Sequence, residues 1–321
     1  MTYINTPAFI KDGEKQHNNL GYRDSIDINL KKDNNCIRIL AIGGSTTYGD
    51  GVKLPAEAWP KILENELNES IVGSNIQVIN AGLPWGTSAE LLNHYIYQDR
   101  YLSPDIVIIH TGINDIQPLM FNDYSPDYSN WRNYKSGGKN GIRKGENGLI
   151  NFSNIIKLIY TIWYSKLEYA VSQTYVSTKD MHNIELKQML KNAETHENIG
   201  FKRNMNLLVR NILQDSVKVI FFEPYLADID NPEYFKNLLD EKDLEFYKIA
   251  QIAINKNFST AKELCNNYGI EYLSMKKGCI SPENMVDVCH LNVDGEEQKA
   301  EFILSILLES ISNIKTCNYN Y

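Results

Sequence analysis

The chain has 321 residues, 43% hydrophobic and 22% charged, with a formal net charge of −8. These values fit an ordinary globular protein of one large or two smaller domains, and acidity without a Lys/Arg cluster argues against nucleic-acid and anionic-membrane partners. The five cysteines are odd in number and lack CxxC spacing, which speaks against a disulfide framework or a zinc site and suits a reduced, cytoplasmic setting.

Residues 1–35 read as a polar, turn-rich extension with little core of its own, and without the basic and apolar regions of a secretory leader. Five short apolar runs then predict strands at 37–42, 76–79, 106–110, 217–222 and 271–274. Rich in Ile and Val and lacking clean alternation, they fit a parallel sheet covered on both faces. Helical spacing is expected over 59–68, over 88–102 with Ser88 as a capping residue, and over 240–268 and 296–311. The fold class is therefore α/β, with ligands binding outside the carboxyl ends of the strands. Between the third and fourth strands, residues 117–216 exceed what one crossover helix needs. They open on an aromatic, glycine-rich loop containing Trp131 and Tyr134, followed by helical stretches near 152–173 and 184–213. Residues 117–216 are either an elaborated crossover or a lid or substrate-binding region. The longest greasy stretch, 155–164, is too short for a membrane span.

Three blocks carry chemistry. Gly43-Gly44-Ser45-Thr46-Thr47 follows the first strand, where a tight turn presents a serine to a ligand. Gly112-Ile113-Asn114-Asp115 follows the third. Asp287-Val288-Cys289-His290 precedes the last helix, with acid and base three residues apart so that one loop can carry both. A serine hydroxyl needs a base to become a nucleophile, and the base needs an orienting carboxylate. The developing oxyanion needs donors, for which the Ser45 N–H and the Asn114 amide are placed. Taken singly, Ser45 reads as a helix cap, Asn114 as a turn residue and Asp287 with His290 as a surface capping pair. Their common order at strand ends favours a Ser45–His290–Asp287 site. His110 reads as a hydrogen-bonding residue below that site, Cys289 as packing, and Asp115 as the residue fixing the loop that aims Asn114.

In their order these blocks, with Asn80-Ala81-Gly82-Leu83-Pro84-Trp85-Gly86 between the first two, resemble the SGNH (GDSL-like) hydrolase family. The resemblance covers about 36–116 and 217–311. It implies a flavodoxin-like three-layer sandwich on a five-stranded parallel sheet, with core segments 36–116 and 217–315 around the insertion. It also implies a Ser-His-Asp triad and neither metal nor cofactor. Gly44 stands where the family has an aspartate outside the triad. The family's oxyanion glycine aligns with Trp85 or Gly86, and Gly86 is favoured here. The segment Asn19-Leu20-Gly21-Tyr22-Arg23 is similar to one upstream of the nucleophile in some bacterial members, so Arg23 either reaches an anionic substrate group or forms a structural salt bridge. A GxSxG elbow is absent because position 47 is Thr.

The expected activity is hydrolysis of a small acyl ester, acetyl foremost, on a carbohydrate, through an acyl-serine intermediate. Trp85, Trp131, Tyr134 and Arg23 are the candidate substrate contacts. Acyl transfer with the same triad, or carbohydrate binding without catalysis, are the alternatives.

Overall fold

A computed structural model describes residue 5 and residues 7–71, 73–133, 177–178, 181, 184–234 and 241–318. Its centre is a sheet of five strands, β1 Cys36–Gly43, β2 Asn75–Gly82, β3 Ile106–His110, β4 Lys218–Phe222 and β5 Glu271–Leu273. Their spatial order is β2-β1-β3-β4-β5 and every neighbouring pair is parallel. This is the doubly wound order whose switch point lies between β1 and β3.

The main helices are α1 Trp59–Ser70, α2 Ser88–Tyr97, α3 Leu186–Thr195, α4 Ile199–Gln214, α5 Glu241–Tyr268 and α6 Val293–Asn318. Successive strand residues point to opposite faces, and the two cores follow that alternation. Ile39, Ala41, Val78, Ile108 and Phe222 pack with Trp59 and Leu63 of α1 and with Ile303 and Leu307 of α6. Leu40, Ile42, Ile79, Ile109 and Phe221 pack with Leu91 of α2, Leu208 of α4 and Leu264 of α5. The result is the three-layer α/β/α sandwich. Burial on both faces explains the continuous apolar runs in the strands.

Several elements differ from the sequence-based expectation. The second strand extends to Gly82 because its register with β1 continues through Asn80↔Ala41 and Gly82↔Gly43. The helix at 88–102 ends at Tyr97, followed by a 3-10 turn at Asp99–Leu102. Its cap is Thr87, whose N–H donates to Glu90 Oε2 at 2.8 Å, while Ser88 is committed elsewhere. The stretch 184–213 is two helices, broken where the His196 ring donates from Nδ1 to the Leu119 carbonyl at 2.8 Å. The stretch 152–173 lies outside the described residues. The N-terminal segment lends the main core Tyr22, buried with its hydroxyl donating to Asp99 at 2.7 Å. Among the described residues no helix is long and apolar enough to cross a membrane.

Candidate active site

β1 ends at Gly43, and Ser45 opens a single helical turn, Ser45–Tyr48. A β-carbon on Gly43 would collide with the Thr47 hydroxyl and the His110 carbonyl, so only glycine lets the strand turn this sharply against its neighbour. A β-carbon on Gly44, in place of the family's aspartate, would lie 2.8 Å from Asn114 Nδ2. Glycine at 44 thus leaves the Asn114 amide its present position. The N–H of Ser45, first in its turn, has no intrahelical acceptor and no partner among the described residues.

The base arrives on a closed loop after the 3-10 turn Pro282–Asn284. Val286 N–H donates to the His290 carbonyl at 2.8 Å, and Met285 bridges to Leu291. Inside this loop Asp287 Oδ1 accepts the backbone N–H groups of Cys289 at 2.9 Å and His290 at 2.8 Å. Its Oδ2 lies 2.6 Å from His290 Nδ1, and His290 Nε2 lies 2.7 Å from Ser45 Oγ. With the carboxylate accepting from Nδ1–H, Nε2 is left as the acceptor facing the serine hydroxyl. Burial favours the uncharged form of both groups, but their mutual hydrogen bond outweighs it. Asp287 is held down to about 2, and the His290 imidazolium is held above its ordinary range. Burial pushes the Cys289 thiol up, so it stays protonated beside the base, with Sγ 3.7 Å from Nδ1. Ligand atoms of Asp287, Cys289 and His290 lie within 4.8 Å of one another, as a metal site would require. Two of the three are already each other's hydrogen-bond partners.

Asn114 follows β3 on a loop fixed from two sides. Asn257 Nδ2 donates to the Gly112 carbonyl at 2.8 Å. Buried Asp115 accepts the Ser88 N–H, the Ser88 hydroxyl and, at 2.7 Å, the Tyr128 hydroxyl. Asn114 Nδ2 donates to the Gly86 carbonyl at 3.0 Å. An amide nitrogen carries two hydrogens, which leaves one for a ligand.

The expectation for Gly86 requires correction. Its N–H donates to the Leu83 carbonyl at 2.7 Å, closing a turn over 83–86, and is not free to meet an oxyanion. Trp85, at the apex of that turn, has a left-handed backbone with φ of 61°. Its N–H has no partner among the described residues. The turn is tied to the nucleophile strand where Leu83 N–H donates to the Gly43 carbonyl at 2.8 Å.

Two of the four candidate substrate contacts are overturned, because tertiary packing covers them. Trp131 is fully buried and offers no face to a ligand. Arg23 is also buried, under neutral partners: it lies 4.4 Å from the Tyr48 ring centre and donates to Gln16 and to the carbonyls of Val52 and Lys53. Among the described residues it forms no salt bridge, and its burial at 4% exposure keeps it from reaching a substrate group. Tyr134 lies outside the described residues, and Trp85 is 62% exposed. His110 is fully buried beneath the nucleophile turn and donates from Nδ1 to the Phe222 carbonyl at 2.8 Å. Burial, reinforced by the Lys299 charge, pushes its pKa well down, so it is neutral. The cleft at Ser45, lined by Gly44, Thr46, Thr111, Ile113, Asn114 and Pro224 among others, is shallow, with a cavity volume of about 10 Å³.

The sequence reading did not single out three charged residues beside the site. Lys299 Nζ, buried in α6, donates to the Thr46 carbonyl at 3.0 Å and to Glu296 at 2.9 Å. Their signal is a Glu-Lys pair at i, i+3 within a helix that must bury one face. Arg132 touches the Trp85 turn, and Trp131 beside it drew attention to the wrong side chain. Glu90 follows Thr87 with capping-box spacing, a pattern visible in the sequence.

Solved structures similar to this chain match it at low identity. A lipase/acylhydrolase from Enterococcus faecalis is 14% identical with a TM-score of 0.46, over 84% of this chain and 95% of that one. The esterase EstA from Pseudoalteromonas sp. is 13% identical with a TM-score of 0.45, over 86% and 98%. An acetyl xylan esterase from Geobacillus stearothermophilus is 14% identical with a TM-score of 0.45, over 84% and 93%. No curated protein matches the chain. The model of the GDSL-like lipase/acylhydrolase family, by contrast, matches residues 41–297, from the middle of β1 into α6. The chain therefore belongs to the GDSL-like lipase/acylhydrolase family and is a serine ester hydrolase.

Proposed function

We propose that this protein removes a small acyl group, acetyl foremost, from a carbohydrate ester through an acyl-serine intermediate. The observation that carries the reading is the unbroken relay from Asp287 through His290 to Ser45, with links of 2.6 and 2.7 Å. Ser45 Oγ attacks the ester carbonyl as its proton passes to His290 Nε2, and Asp287 stabilises the imidazolium so formed. The tetrahedral oxyanion is met by the N–H groups of Ser45 and Trp85 and by the second amide hydrogen of Asn114. Collapse expels the alcohol, which takes the proton from His290. Water then attacks the acyl-serine, returns a proton through His290 to Ser45 Oγ, and releases the acid.

The cleft offers only about 10 Å³ of cavity volume, far below the roughly 300–1,000 Å³ of pockets that enclose drug-sized ligands, and this supports a short acyl group. The exposed Trp85 indole supports a ring-bearing alcohol, because a sugar face stacks on an aromatic surface. Four described cysteines are free, which supports a reducing, cytoplasmic location.

The test is hydrolysis of p-nitrophenyl acetate, butyrate and octanoate, with acetylated oligosaccharides alongside. Ser45→Ala abolishes turnover, and wild-type kcat/KM falls as the acyl chain lengthens. Activity that survives Ser45→Ala, or that rises towards octanoate, contradicts the reading. Asn114→Ala removes one oxyanion donor and lowers kcat by about 10²- to 10³-fold with little change in KM. An effect confined to KM would remove Asn114 from that role.

A further inference from the structure

The turn over 83–86 holds an L-residue in a left-handed conformation that its β-carbon disfavours. Trp85 has φ of 61°, and its ring is mostly exposed, so packing of the indole does not enforce that backbone. What grips Trp85 itself is Arg132. Its Nη2 donates to the Trp85 carbonyl at 2.8 Å and pairs with Glu90 Oε2 at 3.0 Å. The two side chains are only 5% and 8% exposed, and the guanidinium lies 4.6 Å from the centre of the Trp131 ring. The same Glu90 oxygen accepts the Thr87 N–H at 2.8 Å and the Thr87 hydroxyl at 2.5 Å. One guanidinium thus joins the carbonyl of residue 85 to the first turn of α2. It comes from the short strand Arg132–Asn133, which pairs antiparallel with Ser177–Thr178, bringing together chain that is far apart in sequence.

A buried ion pair is weak evidence for stability, since desolvation can exceed the attraction. Its position against a strained turn beside the nucleophile points to function instead. Accepting the Trp85 N–H as an oxyanion donor, as proposed above, we infer that Arg132 is a positioning residue of the oxyanion hole. By fixing the Trp85 carbonyl it sets the dihedral angles that aim the Trp85 N–H at the reacting carbonyl. Both contacts leave from Nη2, whose two hydrogens are fixed in the guanidinium plane and so set both directions, whereas a lysine ammonium is a freely rotating point charge. Arg132 touches no reacting atom, so its effect belongs to transition-state binding rather than substrate affinity.

The experiment compares wild type, Arg132→Lys, Arg132→Met, Trp85→Gly and the Arg132→Met/Trp85→Gly double variant. Two readouts are used: kcat and KM on p-nitrophenyl acetate, and the rate of Ser45 phosphonylation by a fluorophosphonate. Glycine at 85 keeps the N–H and adopts the left-handed backbone freely, so it relieves the need for the clamp. Arg132→Met is expected to lower kcat by about 10²-fold, the order produced by a displacement near 1 Å, with KM within threefold. Arg132→Lys falls between. In the Trp85→Gly background the same loss of arginine is expected to cost less than threefold. Arg132→Met/Glu90→Gln removes both charges, so no buried carboxylate is stranded. It keeps the test valid if the single variant folds poorly and is expected to show the same kcat loss. Equal losses in both backgrounds, or a change in KM alone, overturn the inference. Activity that survives Ser45→Ala would instead defeat the underlying mechanism, and the two failures are thereby separated.

Discussion

Asp287→Asn lowers kcat on p-nitrophenyl acetate by about 10⁴-fold, the order expected when an amide replaces a triad carboxylate and favours the wrong tautomer. The geometry gives the reason. Asp287 Oδ1 is saturated by the Cys289 and His290 N–H groups, so the other oxygen faces Nδ1. With an asparagine amide retaining those two bonds, its NH2 group meets Nδ1, which must then accept. The ring proton moves to Nε2 and points at Ser45, and no base faces the serine. The pH profile supplies a second readout. The Asp287 carboxylate holds the His290 pKa above the ordinary 6.5. Catalysis needs neutral imidazole, so wild-type activity is lost as pH falls through that raised value. Losing the carboxylate removes the strongest of the influences that raise the pKa while burial still lowers it, so the acid limb moves to lower pH as the plateau drops. Stability carries the opposite-sided signature. The raised His290 pKa contributes stability in full below 6.5, lost as pH rises through the folded value. The lowered Asp287 pKa contributes above 3.8, lost as pH falls through about 2. The urea midpoints of wild type and Asp287→Asn therefore differ most between about pH 4 and 6.5. An unchanged acid limb together with kcat within threefold of wild type would falsify this assignment.

The sheet and the strand-end placement of Ser45 and Asn114 were legible because both follow from local pattern. Strands buried on both faces leave continuous apolar runs, and glycine turns mark where those runs stop. What stayed hidden depends on tertiary contacts. Gly86 and Trp85 are both credible oxyanion donors until one sees that the Leu83 carbonyl consumes the Gly86 N–H. Glycine preference then misleads, since the residue in the left-handed conformation here is tryptophan. Trp131 stands in a polar, glycine-rich stretch that reads as solvent-facing, yet it is buried beside the Arg132 guanidinium. Arg23 reads as a lone cation seeking an anion, but its contacts are backbone carbonyls and a tyrosine ring. A charged residue does not announce in sequence whether its partner is solvent, a carbonyl or a carboxylate.

Lys299→Met is expected to destabilise the protein by about 3–5 kcal/mol, the cost of leaving one member of a buried ion pair without its partner. Lys299 and Glu296 are each only 2% exposed and 2.9 Å apart. Glu296 Oε2 also accepts the Trp59 N–H at 2.9 Å, and Lys299 donates to the Thr46 carbonyl at 3.0 Å. Methionine fills the volume of the lysine stem but leaves the Glu296 carboxylate charged, buried and unpaired. Adding Glu296→Gln removes that charge while keeping an acceptor for Trp59, so the double variant recovers much of the loss. Urea unfolding of both variants reads this directly: a single variant costing under 1 kcal/mol, or a double as unstable as the single, rules the argument out. The pair also bears on catalysis through its position. Thr46 follows the nucleophile, and α6, which carries Lys299, begins at Val293, just beyond His290. The ammonium therefore ties the turn that presents Ser45 to the helix that follows its base. In the folded double variant kcat should still fall, because the Thr46 carbonyl has lost its anchor although the stranded charge is gone. Separating recovered stability from unrecovered turnover distinguishes an anchor of the active site from a buried pair that only holds the fold.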